Sequence, residues 1–223
     1  FRILVTGMGT IHSDWAPMLA ILAVASLVVG NLAAIMQTNI KRMLAYSTVS
    51  HMGFILLAFM AGAVGFTAGL YYAITYALMA AVSFGVLMVL STKDIECEEI
   101  KDLAGLNHRH AWFAFLMLLS MFSMAGIPPL MGFYAKFGVI MALLKQGYVW
   151  LSVFAVIMSL IGAFYYLRVV KVIYFDAPDH DQPVGSNYAA KFVLTVNAFL
   201  LLLWGIMPQT VIDWCAKALE NTL

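Results

Sequence analysis

Long apolar runs joined by short polar links dominate the chain, and no stretch keeps the strict two-residue alternation of a half-buried strand. Each run is long enough for a helix that crosses a hydrocarbon core of about 30 Å. Six such spans are predicted, at about 17–36, 40–64, 67–90, 113–144, 148–175 and 190–207. The expected fold is an all-α, polytopic membrane helix bundle. Pro17 opens the first span with Trp15 at the interface level, Asn39 is placed to cap the second, and Gly65 to end it. Pro208 closes the sixth, and residues 211–223 read as a short amphipathic tail.

The fourth span differs from the others in being broken. Its middle reads AGIPPLMGFYAKF: Gly126, Pro128 and Pro129 interrupt the helix, because neither proline has an N–H and each ring collides with the carbonyl four residues back. The carbonyls of Met124 and Ala125 are thereby released, and lipid offers them nothing, so such a break belongs where protein or water receives it. Lys136 follows. The eight apolar residues from Phe137 to Leu144 rise about 12 Å before Lys145 marks a polar edge. Half a hydrocarbon core is about 15 Å, so Lys136 lies near the midplane, beyond comfortable reach of a headgroup. A broken helix with an ionisable group at that depth is the pattern of an ion pathway. A lysine paired permanently with a hidden carboxylate is the plainer alternative.

Other polar residues are spaced on helical faces. Ser47, Ser50 and His51 share one face of the second span, with Tyr46 beside them, and His51 lies some 15 Å beyond Arg42. A histidine at mid-depth can relay protons, or can simply hydrogen-bond a neighbouring helix. On the third span Tyr72, Thr75, Tyr76, Met79 and Ser83 recur at three- and four-residue spacing, with Gly69, Ala73, Ala77 and Ala80 as small residues for close packing. That stripe is assigned mainly to packing. Asn31 is the strongly polar residue inside the first span. The link at 91–111 reads as a solvated loop in which EEIKDLAGL could form a short surface helix, and His108 and His110 read as loop residues without metal-ligand spacing. Arg168 and Lys171 are placed to snorkel to the interface.

Composition removes other classes. Hydrophobic residues make up 64% of the chain and charged residues 10%, with a net charge of +1 and scattered basic residues, which excludes a nucleic-acid role. Cys97 and Cys215 have no partner spacing for metal or redox chemistry. Residues 1–7 read as the last turn of a preceding helix, so the chain looks like a fragment. With alternating spans, Lys41, Arg42, Lys93, Lys101, Arg109, Arg168, Lys171 and Lys191 fall on one side and Arg2, Lys145 and Lys217 on the other. The positive-inside rule makes the richer side cytoplasmic.

Three segments, QTNIKRMLAYSTVSHMGF, AGIPPLMGFYAKF and FYYLRVV, occur in order among these spans. Together they resemble the antiporter-like membrane subunits of respiratory complex I over essentially the whole chain, and among these the subunit N branch. Lys136 followed by Phe137 carries that distinction, since the M branch has glutamate at this place and the L branch follows its lysine with an acidic residue.

The resemblance implies fourteen helices in two inverted five-helix repeats. Residues 8–175 would be the second repeat, and residues 176–223 a loop, the last helix and a tail. It implies that Lys136 is the broken-helix lysine of a proton half-channel and that His51 lines its polar axis; Ser47, Ser50 and Tyr76 are expected, with His51, to hold the water that carries protons to and from the lysine. It implies no catalytic residue, metal or cofactor in this chain: flavin and iron–sulfur clusters belong to partner subunits. The implied partners are the neighbouring antiporter-like subunit M, the small subunits K and J, lipids, and protons with internal water, in the bacterial inner membrane with both ends of the chain on the periplasmic side. Mrp-type sodium/proton antiporters share this ancestry, and a non-conducting membrane-arm subunit is the third reading. The six spans carry no interior Asp or Glu, which counts against a cation site.

Overall fold

The computed structural model describes residue 7 and residues 12–91, 97–178 and 188–220. Among the described residues eight α-helices follow one another: α1 (His12–Ile35), α2 (Ile40–Met60), α3 (Ala63–Leu90), α4 (Leu106–Ala125), α5 (Met131–Lys145), α6 (Val149–Phe175), α7 (Tyr188–Ile206) and α8 (Pro208–Glu220). Among the described residues α1, α2, α3, α6 and α7 are long and apolar enough to cross a membrane. The fourth expected span, 113–144, is present as two shorter pieces, α4 and α5. The sequence expectation of an all-α polytopic bundle is met. Residues 1–6 of the expected preceding helix and much of the 176–187 loop lie outside the described residues.

Several boundaries differ from the sequence reading. Helix α1 starts before Pro17, which sits in its second turn, close enough to the N-terminus that only the Ser13 carbonyl loses its usual donor. Helix α2 ends at Met60 rather than Gly65, because Gly62 supplies the positive φ of the turn (65°). Gly65 serves instead as a contact: a Cβ there would run into the Ala58 carbonyl.

Close packing of small residues falls mainly between α1 and α2. A Cβ on Gly30 would meet the Ser50 nitrogen at 2.5 Å, and one on Gly53 the Ala23 carbonyl at 3.0 Å. On α3 the expected small stripe is split, since Gly69 faces Ala58 but Ala73 and Ala77 are exposed. Spacing alone does not say which flank of the tyrosine stripe meets a neighbour. The stripe itself is buried as expected, with Ser83 and Ser120 paired at 2.6 Å and Ser120 donating to the Met79 carbonyl at 2.8 Å.

The basic end is held by polar contacts. Asn39 caps α2, its Oδ1 accepting from the Arg42 N–H at 2.9 Å. The link expected to be a solvated loop is instead docked there. The Ile40 N–H donates to the Glu98 carbonyl (2.7 Å), the Ile100 N–H donates to the Thr38 carbonyl (2.9 Å), and Lys41 pairs with Glu98 at 3.2 Å. Ile100 and Leu103, in a 3₁₀ turn, are buried. His108 lies in the first turn of α4, not in the loop, because Gly105 in the left-handed region starts the helix three residues before it, whereas His110 is extended (φ −155°, ψ 78°) and kinks the helix between this first turn and the long run that follows.

Arg168 does not snorkel. It turns inward and donates to the Ile35 and Gln37 carbonyls at 3.2 and 2.6 Å, filling acceptors left free at the end of α1. Lys171 does reach outward, pairing with Asp176 at 2.7 Å. Removing the α2 cap by Asn39→Ala is expected to lower stability by about 1 kcal/mol, measurable as a lower unfolding midpoint of the detergent-solubilised chain.

Candidate functional site

Helix α4 stops at Ala125 because Gly126 takes a left-handed φ of 88°, which lets the N–H groups of Gly126 and Ile127 turn back onto the Phe122 and Ser123 carbonyls. The following 128–130 segment, with a cis bond between the two prolines, leads into α5 at Met131. The start of α5 is pressed onto the end of α4. The Gly132 N–H donates to Ser123 Oγ at 3.1 Å, and a Cβ at Gly132 would overlap the Ser123 carbonyl. Helix α7 covers the break from the other side, with Gly205 against Pro129, Leu130 and Met131 so closely that a Cβ would collide with their backbone.

Lys136 lies one turn into α5 and folds back across the break. Its stem passes Gly126, and its ammonium donates to the Ala125 carbonyl at 3.0 Å and to Ser159 Oγ on α6 at 2.9 Å. Ala125 is one of the two carbonyls the prolines were expected to release, and the lysine itself takes it. The side chain is 7% exposed, sits 5.6 Å from the centroid of the Phe54 ring, and has no ion pair among the described residues. Its partners among the described residues are a carbonyl and a hydroxyl.

Lys136 lines a narrow cavity of about 10 Å³ with Asn31, Ser50, His51, Ser159 and Tyr165 among its walls. That is close to the room one water needs, and the walls are polar enough to hold it. No hydrogen bond joins His51 to Lys136; they face each other across this cavity. His51 is buried, with Nδ1 2.8 Å from Tyr72 Oη and Nε2 3.0 Å from Tyr166 Oη. A neutral imidazole has one donor and one acceptor nitrogen, so one tyrosine accepts from the ring and the other donates to it. The His51 ring also lies against Tyr76 (4.9 Å between centroids), whose hydroxyl pairs with Thr48 at 2.5 Å.

Of the residues expected on the polar path, Lys136, His51 and Ser50 meet at the cavity. Ser47 is a turn away, bonded to the Leu44 carbonyl and set against Tyr166. Tyr76 touches the group through the His51 ring. Four members were not foreseen. Tyr72 belongs to the stripe assigned to packing, Tyr165 and Tyr166 fall in the FYYLRVV segment without a role, and Ser159 carries no signal in the sequence. Tyr165 donates to Asn31 Oδ1 at 3.0 Å, and Asn31 donates on to the Leu27 carbonyl at 2.9 Å. Gly162 makes room for that pair, with Asn31 Oδ1 3.2 Å from where its Cβ would be.

A helix bundle that crosses the membrane, breaks one crossing and seats a buried lysine against the break defines an antiporter-like membrane subunit. The chain belongs to the NADH:quinone oxidoreductase/Mrp antiporter transmembrane family, which matches residues 1–162. Subunit N of NADH-quinone oxidoreductase from Neisseria gonorrhoeae is 82% identical over the whole chain and 47% of that relative's length, and the same subunit from Nitrosomonas europaea is 51% identical over the whole chain. The chain spans about half the length of the curated relatives it matches. A chain of respiratory complex I from Thermus thermophilus with bound aureothin superposes with a TM-score of 0.80 at 31% identity, covering 88% of this chain and 45% of that one. A chain of the Mrp complex from Dietzia sp. shares the fold, with a TM-score of 0.83 at 22% identity over 94% of this chain and 47% of that one.

Proposed function

We propose that the chain is the lysine-bearing half-channel of a proton-translocating membrane subunit in an NADH:quinone oxidoreductase, coupling quinone reduction elsewhere in the complex to proton movement here. The observation that carries this reading is Lys136: buried, held by a carbonyl and a hydroxyl, and without a carboxylate partner among the described residues. A charge so placed is costly and its proton is exchangeable in principle. Lys136 alternates between charged and neutral as the neighbouring subunits rearrange, and His51 with Tyr72, Tyr76 and Tyr166 passes protons to and from the cavity, with Ser47 and Ser50 holding water beside them.

On this reading residues 8–175 are the second antiporter-like repeat, and the partners are subunit M and the small subunits K and J. Flavin and iron–sulfur clusters sit in other subunits, and both ends of the chain face the periplasm of a bacterial inner membrane. Support for the topology comes from the basic end, where Lys41, Lys101, Arg168 and Lys171 gather around the α1–α2 turn and the end of α6.

The test is Lys136→Met in the complete complex, reconstituted into liposomes, with proton uptake recorded against NADH oxidised. Normal assembly with a lower proton-to-electron ratio is expected. An unchanged ratio at normal assembly makes the chain a scaffold, and uptake that requires sodium makes it a sodium/proton antiporter.

A further inference from the structure

We propose that Ser159 is the positioning residue that keeps the Lys136 nitrogen hydrogen-bonded in both of its protonation states, an inference that rests on Lys136 being a proton carrier. The two contacts of Nζ are not equivalent. The Ala125 carbonyl, 3.0 Å away, can only accept; the Ser159 hydroxyl, 2.9 Å away, can accept or donate. When Lys136 is charged, both oxygens accept from it. When one N–H bond breaks and its proton passes to a water in the cavity, the electron pair stays on Nζ and needs a donor.

Of the protein groups in contact with Nζ, the ring of Phe54 and the Ala125 carbonyl offer none, and His51 is held by Tyr72 and Tyr166 without a bond to the lysine. Ser159 supplies it by rotating about its C–O bond, with no change in the backbone of α6. Without that hydroxyl the neutral amine keeps only the Ala125 carbonyl of its two protein contacts, and its electron pair has no protein donor. Ser159 therefore makes the neutral state reachable rather than merely holding the charged one. Its place on the cavity wall also points the exchanging nitrogen at the water-sized space shared with Asn31 and Ser50.

Ser159→Thr and Ser159→Val separate hydroxyl from shape, because the two side chains are close in size and differ in the donor. Both are made in the complete complex, reconstituted in liposomes beside Lys136→Met, and the proton-to-electron ratio is compared per assembled complex. The threonine variant is expected to keep the unsubstituted ratio, and the valine variant to fall to the level of Lys136→Met. A valine variant with the full ratio, or threonine and valine variants lowered alike, overturns the proposal while leaving the role of Lys136 standing. A full ratio in Lys136→Met as well overturns the underlying reading.

Discussion

Adding a single methyl group at residue 132 is expected to destabilise the chain by about 3 kcal/mol or more and to deplete the assembled protein in the membrane. The Cβ of Gly132→Ala overlaps the carbonyl of Ser123, which is backbone at the last turn of α4, so no side chain can rotate away to relieve it. Overpacking against a rigid wall has costs of this size. The control is Gly138→Ala on the same helix. There the new methyl meets Ala68 Cβ at 3.5 Å, an ordinary contact, and the gain of up to about 1 kcal/mol in helix propensity should show. Unfolding midpoints of the two variants in detergent should move in opposite directions. If both rise, α5 does not start as tightly against α4 as described.

His51→Leu is the second substitution with a large expected effect. Leucine fills the volume but removes the partner that the buried hydroxyls of Tyr72 and Tyr166 share; Tyr166 keeps Ser47, whereas Tyr72 is left unsatisfied, at a cost of roughly 1–3 kcal/mol. The variant should unfold at lower temperature, and the fraction that assembles should take up fewer protons per NADH, because the link from the cavity to Tyr72 and Tyr76 is cut. Tyr72→Phe together with His51→Leu should recover part of the stability, since one orphaned hydroxyl is then gone, but none of the proton uptake. A double variant no more stable than the single one would mean that Tyr72 finds another partner unaided.

The break and its lysine were legible in the sequence because both violate what a membrane helix normally contains: consecutive prolines mid-span, and a charge eight apolar residues from the nearest polar edge. His51 was legible by depth. What could not be read was which helices face one another. Tyr166 lies 115 positions from His51, and Asn31 lies 134 from Tyr165; their pairing depends on the relative rotation and height of separate helices, which no periodicity encodes. Ser159 was invisible for the same reason: a serine in an apolar span is common, and only the approach of α5 to α6 makes it a lysine's partner. The misassignment of Arg168 has a different cause. Snorkelling was inferred from position near a helix end, whereas the free carbonyls at the end of α1 offered a stronger attraction nearby.

The tight seat of Gly205 over residues 129–131 has an electrical side. A gap in a helix is where water can thread, and a thread of water is a leak for protons driven by the voltage across the membrane, worth about 2.3 kcal/mol per charge for each 100 mV. With α7 lying flush on the backbone of the gap, the lysine beside it is closed off from such a thread on that flank.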